Sequence, residues 1–303
     1  MVKAPMPARK TLDPKLDIVF SMLFGKERNR ALLVSLLTAV LRPSAPIDVV
    51  EVLRAEPERS IATEKVIALD LRVRLATGEQ IDIEMQTQRR PALPARFLYY
   101  WARIYAEQLA RGDDYAMLRR AVVVVFTNFS LLAGRRFHSI VRLHESHDAE
   151  LVTDQLAIHV LELPKLNLLS PEEDEPILAL WGRFLTASTD EQLESLAMEH
   201  PVIKQAKIAL DDLSADPIAR RQAEQREVAL LLHRVDLGTA REEGRVEGRV
   251  EGKVSTLSRL LASRFGPVPA TVSERLGSAS ELELDRWLER LLSASRIEDV
   301  FAA

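Results

Sequence analysis

The fold is decided by the stretch Ile67-Ala-Leu-Asp-Leu-Arg-Val-Arg-Leu75, then Ala76-Thr-Gly78, then Glu79-Gln-Ile-Asp-Ile-Glu-Met-Gln86. The first and third parts alternate apolar and polar residues with a period of two, which indicates two β-strands. The three-residue connection predicts a hairpin that pairs even-numbered residues with even-numbered residues. Gly78 suits the left-handed third position of such a loop.

Two carboxylates and an amide carbonyl share one face of this hairpin. Even pairing places Asp70, Glu84 and Gln86 together, whereas a loop one residue longer would place Asp70 opposite Met85. Carboxylate and carbonyl oxygens are the ligands that Mg²⁺ prefers, and such an ion activates water for attack on a phosphodiester. The same pattern is typical of a solvated hairpin face with cross-strand pairs such as Arg72–Glu84. The residues alone leave both interpretations open.

The elements around the hairpin predict an α/β fold. Apolar residues at helical spacing indicate helices, and short β-branched or alternating runs indicate strands. The predicted helices cover residues 18–24, 27–41 and 93–111, and the predicted strands cover 48–55, 66–75, 80–86, 121–127 and 159–163. This order predicts a mixed sheet flanked by helices, followed by a mostly α-helical C-terminal region.

The predicted domains are 12–165, a helical extension over 171–240, and a small helical module over 241–303. The last begins with glycines at 244, 248 and 252, spaced four residues apart. This spacing stacks them on one helix face, where a partner helix could approach closely, or it marks a flexible connector. Both interpretations stay open, and the C-terminal helices are candidates for self-association into a homo-oligomer.

Composition narrows the class of protein. Among 303 residues there is no cysteine, which excludes disulfides, thiolate metal sites and cysteine nucleophiles and fits a reducing compartment. No apolar run has the length of a membrane span, so we expect a cytoplasmic protein that does not enter a membrane.

The net charge of −4 hides an asymmetry, because residues 88–142 hold ten arginines, no lysine and three acids, a net +7.

The order of these motifs resembles the PD-(D/E)xK nuclease core, in which a strand aspartate is followed by an acid-x-Lys/Gln pair on the next strand. Here the pair is Ile83-Glu-Met-Gln86. Residues 12–165 resemble the recombination-promoting nuclease and transposase-like family of that superfamily, from the opening Leu16–Gly25 to the helix that begins at Arg96-Phe-Leu-Tyr-Tyr100. The segment 244–303 resembles an uncharacterised helical module that often follows this core.

The resemblance implies a restriction-endonuclease-like fold and a metal-dependent DNA endonuclease. Asp70 and Glu84 would hold Mg²⁺, for which Mn²⁺ can substitute. Gln86 would occupy the place of a catalytic lysine and orient water or phosphate, Lys65 would supply the missing positive charge, and Asp17 would be a third acid.

The basic block directly follows the predicted metal strand, where a phosphate backbone has to lie. We therefore predict that Arg89, Arg90, Arg96 and Arg103 contact DNA, although arginines spread around a helix as solvated pairs would give the same composition.

Two positions depart from the family pattern. Ser21 stands where a lysine is expected, and Gln86 is uncharged. These departures motivate an alternative, in which the chain is a catalytically degenerate DNA-binding or assembly protein on a nuclease-like core.

Overall fold

A computed structural model of the chain describes residues 11–47, 50–53, 71–89, 92–168 and 176–301. The chain divides into two compact units, Met1–Glu227 and Val228–Ala303. The domain boundaries predicted from the sequence stay predictions.

A mixed six-stranded sheet is built from the described residues of the first unit. The strands are β1 (Val50–Leu53), β2 (Leu71–Leu75), β3 (Gln80–Gln86), β4 (Ala121–Thr127), β5 (His138–His144) and β6 (Leu151–Glu162). Their spatial order is β1-β2-β3-β4-β6-β5. The central strands β3, β4 and β6 are parallel, and the outer pairs are antiparallel. The predicted mixed sheet is confirmed.

Helices cover both faces of this sheet. They are α1 (Asp17–Phe24), α2 (Arg30–Leu41), α3 (Leu93–Ala106), α4 (Pro176–Thr186), α5 (Asp190–Glu199) and α6 (Pro201–Ala215). On one face, Phe20 of α1 packs against Phe126 of β4 with ring centroids 5.9 Å apart, and Phe24 packs against Trp181 of α4 at 5.5 Å. On the other face, α3 forms an apolar cluster with β4 and β6. The predicted α/β class with flanking helices is thus confirmed.

The described part of the hairpin has the predicted register. Leu71 lies opposite Ile83 and Arg72 opposite Asp82, so odd residues pair with odd and even with even. The loop is closed by a hydrogen bond from the Gly78 amide to the Leu75 carbonyl at 2.9 Å. Gly78 has φ +87°, the left-handed conformation that this loop requires.

Three elements differ from the predictions. Strand β5 was not predicted, and β6 begins at Leu151 rather than at residue 159, because β5 and the first half of β6 form an edge hairpin that is largely exposed and has no core-facing alternation. Helix α3 ends at Ala106 rather than at residue 111. The side chain of Gln108 exchanges two hydrogen bonds with the backbone of Arg119, and this stops the helix early.

Helix α7 (Pro217–Phe265) contains the boundary between the units, and α8 (Ala270–Gly277), α9 (Glu281–Leu291) and α10 (Ile297–Val300) follow it. The second unit has its own apolar core around Leu261, Leu284 and Trp287. A capping box begins α9, in which Ser280 and Glu283 cap each other. In the part of the chain that the structure describes, no helix combines the length and the hydropathy that crossing a membrane requires.

Candidate functional site

Polar side chains of β3 lie on the face of the sheet that α3 covers. In the parallel register, Asp82 lies beside Val123 and Glu84 beside Val125, and both valines belong to the cluster that packs against α3. Residues in register point to the same face of a sheet. Asp82 is 0% exposed and Glu84 is 2% exposed. The solvated-face interpretation of the hairpin is therefore wrong for these two carboxylates, which are buried.

Gln86 contacts the carboxylate of Glu84 from two residues further along β3. The Nε2 atom of Gln86 donates a hydrogen bond to Oε2 of Glu84 at 2.9 Å. Since the amide nitrogen is the donor, the amide oxygen keeps its capacity to accept a hydrogen bond or to bind a cation. The structure thus brings together two of the predicted site residues.

Helix α3 adds a tyrosine and an arginine to this site. The Arg96 guanidinium donates two hydrogen bonds to the phenol oxygen of Tyr100, one of them from Nε at 3.1 Å. Burial raises the pKa of the Tyr100 phenol, and the negative charges of Glu84 and Asp82 raise it further, against the opposing effect of Arg96. The phenol is therefore held protonated between an arginine and two buried carboxylates.

The sequence predicted a DNA contact for Arg96 and gave no site role to Tyr100. The spacing of four residues between them was the signal for a paired role, because side chains at i and i+4 are neighbours on a helix. The full burial of Asp82 was also missed. Its signal was the strongly apolar strand 121–127, which is typical of a sheet covered on both faces, so that a strand paired with it is covered as well.

The chemistry of these donors fits a hard divalent cation. Buried carboxylates need a compensating positive charge, and oxygen-rich sites supply what Mg²⁺ prefers. Within the described residues there is no group of three His, Cys, Asp or Glu side chains that could hold a metal ion. Asp70 and Lys65 lie outside the described residues, so their roles stay predictions.

The predicted DNA-binding arginines are in different environments. Arg89 is exposed and Arg90 lies outside the described residues. Arg96 is bound to Tyr100, and Arg103 donates to Glu107 at 2.6 Å. Contact of these arginines with DNA stays a prediction.

Glu107 joins α3 to the hairpin. Its other carboxylate oxygen accepts from Arg72 at 2.5 Å, so one acid holds two arginines. Burial acts to raise the pKa of Glu107, but the hydrogen bonds from Arg103 and Arg72 lower it overall. This network ties the C-terminal end of α3 to β2, the neighbour of the strand that carries Glu84.

Asp17 is not brought together with Glu84. It is the first residue of α1, the helix that packs on the other face of the sheet through Phe20 and Phe126. Its carboxylate accepts hydrogen bonds from the Arg226 guanidinium of α7, two of them from Nε at 2.9 Å. A catalytic role for Asp17 stays a prediction.

A protein-family model matches most of the chain. Residues 14–237 match a family described as PD-(D/E)XK nuclease family transposase. No curated protein and no solved structure matched the chain. The matched span contains the whole described sheet, including Glu84 and Gln86 on β3 and the helix that carries Tyr100.

Proposed function

The chain belongs to the PD-(D/E)XK nuclease family transposases, and we propose that it is a metal-dependent DNA endonuclease of the recombination-promoting type. The observation that carries the proposal is the buried Glu84 carboxylate, which is hydrogen-bonded to Gln86 and faces the Arg96–Tyr100 pair. Phosphodiester hydrolysis needs oxygen ligands for a cation beside groups that bind the phosphate. Glu84 and Gln86 supply oxygen ligands, and Arg96 and Tyr100 supply groups that can bind a phosphate.

We propose that Glu84 and Asp70 hold Mg²⁺, with Mn²⁺ as a substitute. Asp70 directly precedes Leu71, which lies opposite Ile83, the neighbour of Glu84. When bound, the ion stabilises negative charge on the phosphate and lowers the pKa of a coordinated water.

The other residues of the site position the substrate. Gln86 restrains the Glu84 carboxylate and presents its amide oxygen as an acceptor for the attacking water. The protonated phenol of Tyr100 is a hydrogen-bond donor, and Arg96 is a positive charge next to it. Because Gln86 cannot neutralise charge, we propose that Arg96 shares with Lys65 the stabilisation of the phosphate.

The metal ligands are tested by Mn²⁺ binding, followed by electron paramagnetic resonance of the full chain. We expect Asp70→Asn and Glu84→Gln each to weaken binding at least tenfold, because each removes a carboxylate ligand. Glu79→Gln, on the same hairpin but paired with Arg120, is the matched control. Equal Mn²⁺ affinity in all variants would contradict the ligand assignment.

Asp17 needs a separate test. To act as a third acid, its carboxylate has to exchange Arg226 for the metal site. Loss of cleavage in Asp17→Asn with retained cleavage in Arg226→Gln supports a catalytic role. Equal retention in both variants contradicts it.

The second candidate function is a DNA-binding or assembly protein without cleavage. It is favoured by Gln86, which stands at the position where a cationic residue is usual in the superfamily and which donates a hydrogen bond to Glu84. DNA binding without cleavage in Mg²⁺ or Mn²⁺, across plasmid, duplex and branched substrates, would support it over the endonuclease. A DNA substrate also agrees with the cytoplasmic location expected from the sequence.

We further propose that the chain forms a homo-oligomer through α7. Four side chains at i, i+3, i+4 and i+7 are each more than half exposed: Val228, Leu231, Leu232 and Val235. An apolar stripe with this spacing is typical of a helix that pairs with a second copy. In sedimentation experiments on the full chain, Leu231→Ser/Leu232→Ser should lower the oligomeric state. An unchanged state would contradict this proposal.

A further inference from the structure

A buried ion pair lies on the same face of the sheet as Glu84, outside the site described above. Glu162, the last residue of β6, is 0% exposed, and Lys165, in the short helix Leu163–Leu168, is 5% exposed. The Lys165 Nζ atom is 2.6 Å from Oε2 of Glu162. In the sheet, Gln86 lies beside Thr127 and Thr127 beside Glu162. With strands about 4.8 Å apart, the backbones of Gln86 and Glu162 are about 10 Å apart.

The ion pair binds the middle of the loop between β4 and β5, residues 128–136, which we call the β4–β5 arm. The backbone amides of Leu131 and Leu132 donate to Oε1 of Glu162 at 2.5 Å and 3.1 Å. The Lys165 ammonium donates to the carbonyl of Leu132 at 2.8 Å. Both charged groups therefore hold consecutive backbone groups of the arm.

Both ends of the arm are also fixed. At the start, the amide of Asn128 donates to the carbonyl of Gln86 at 3.0 Å. After the arm, Phe137 is buried against Gly182 of α4, where an added Cβ would be 3.1 Å from the ring. The carbonyl of Phe137 accepts from the amide of Glu162 at 2.9 Å. The arm thus begins beside the strand of the candidate site and is held at its start, middle and end.

The exposed part of the arm carries positive charge, next to small residues and Leu132. Arg135 and Arg136 are exposed, as are Asn128 and Ser130, and residues 128–136 contain no acid. Arg135 makes no ion pair with any residue that the structure describes. On α3, by contrast, Arg103 is bound to Glu107.

Burial of an ion pair is a weak source of stability, since desolvation offsets much of the attraction. The stability of the fold therefore gives little reason to bury Glu162 and Lys165. Their hydrogen bonds go to the arm, and the arm carries exposed arginines at the end that leads into β5. If Glu162 and Lys165 hold the arm in place, this explains both why they are buried and why their hydrogen bonds go to the arm.

We propose that the β4–β5 arm binds the phosphate backbone of DNA next to the Glu84 site, and that Glu162 and Lys165 are positioning residues for the arm. This inference rests on the proposed nuclease function. Arg135 and Arg136 directly precede β5, which is three strands away from β3, or about 14 Å at about 4.8 Å per strand. At 3.4 Å of rise per phosphate along one strand, this span corresponds to roughly four nucleotides from the site. Contacts of this kind are independent of base sequence.

The test measures binding of a fluorescein-labelled DNA duplex to the full chain, by anisotropy over a series of salt concentrations. Arg135→Ala/Arg136→Ala should weaken binding about tenfold or more. It should also reduce the slope of log K against log salt by about 1.8, since each phosphate contact contributes about 0.9. Arg111→Ala/Arg119→Ala removes the same charge at the other end of β4 and should change the slope less. Unchanged affinity and slope in the arm variant, or an equal effect in the control, would overturn the proposal.

The positioning role is tested with Glu162→Gln/Lys165→Met, which removes both charges and leaves neither buried alone. Binding should fall as far as in the arm variant, and adding Arg135→Ala/Arg136→Ala to this background should cause less than a twofold further loss. Lys165→Arg, which keeps the charge and the donors, should keep wild-type affinity. A full further loss in the combined variant would show that the ion pair does not position the arm.

If the double substitution prevents folding, Leu131→Pro replaces it, because this change removes one amide bound by Glu162 and leaves both charges in place. With Leu131→Pro, DNA binding should again fall as far as in the arm variant. Adding Arg135→Ala/Arg136→Ala should again cause less than a twofold further loss, and a full further loss would show that the ion pair does not position the arm. Unchanged DNA binding by the arm variant, together with loss of cleavage in Glu84→Gln, overturns the arm and leaves the nuclease proposal intact. Arm-dependent binding without cleavage by the wild type supports the arm and overturns the nuclease proposal.

Discussion

Tyr100 shows how the surroundings of one side chain give it a chemical role. Its phenol lies in the apolar cluster under α3, accepts hydrogen bonds from Arg96 and is near the charges of Glu84 and Asp82. Burial and these charges raise its pKa, so it stays a donor at neutral pH. A neutral donor beside a phosphate stabilises developing charge without adding to the negative charge of the site.

Tyr100→Phe removes this donor and leaves the packing of the ring in place. We expect the rate of DNA cleavage to fall by about 10- to 100-fold, the range typical of losing one stabilising donor or proton-transfer group, with the midpoint of thermal unfolding nearly unchanged. Tyr99→Phe is the matched control, because the neighbouring ring is more than half exposed. Equal cleavage by both variants would contradict the role of Tyr100.

The stability of the first unit should depend on the buried His159 and its partly buried partner His138. Nε2 of His138 and Nδ1 of His159 are 3.0 Å apart. Burial lowers the pKa of His138 to about 4, with Arg42 adding to the effect. Burial, His138, Arg120 and Arg142 lower that of His159 to about 3.

Because the folded pKa values are below the ordinary 6.5, the unfolded chain binds more protons in this range. The stabilisation that the neutral forms of His138 and His159 provide is present above about pH 6.5. It decreases as the pH falls toward 4 and then 3. We expect the midpoint of thermal unfolding to fall between pH 7 and pH 5, and to fall less in His138→Gln/His159→Gln. A wild-type midpoint that stays constant over this range would contradict this expectation.

At the scale of elements, the β2–β3 hairpin depends on its loop. Gly78 has φ +87°, and a Cβ there would be 3.0 Å from Cγ of Arg119. Gly78→Ala should therefore lower the free energy of unfolding by roughly 1–2 kcal/mol, measured by urea denaturation. Gly134→Ala, in the same unit, is the control, because a Cβ there meets nothing within 4 Å. A loss no larger than that of Gly134→Ala would show that the loop tolerates a side chain.

Local pattern was sufficient to predict this hairpin and β4. Alternation and a glycine at the third loop position specify the register of β2 and β3. The apolar, β-branched run over residues 121–127 specifies β4, and all seven of its residues are buried. Local pattern could not predict β5, whose residues are mostly exposed, because the partner that makes it a strand is the distant half of β6. The end of α3 depends in the same way on Gln108 binding the backbone of Arg119, a contact that periodicity does not contain.

The candidate site was predictable to the same extent. Glu84 and Gln86 are two residues apart on one strand, so their common face follows from a period of two. Tyr100 and Arg96 come from another element, and only the packing of α3 on the sheet brings them to Glu84. The buried Glu162–Lys165 pair likewise needs the register of β6 with β4, which no local pattern specifies.

At the scale of the whole molecule, charge and fold agree on where DNA would bind. Residues 88–142 carry a net +7 in a chain of net −4, and they include α3 and the β4–β5 arm next to the buried carboxylates. The remainder of the chain is acidic. Polyanion binding should therefore be local, steeply dependent on salt and confined to the first unit.

The central claim is that Glu84 belongs to a metal-dependent site that cleaves DNA. The most direct measurement is nicking of supercoiled plasmid by the full chain, with and without Mg²⁺, for the wild type, Glu84→Gln and the control Glu79→Gln. We predict that the wild type and Glu79→Gln convert plasmid to nicked and linear forms only with Mg²⁺, and that Glu84→Gln binds DNA but does not cleave it. Equal cleavage by the wild type and Glu84→Gln, or no cleavage by the wild type, would contradict the account.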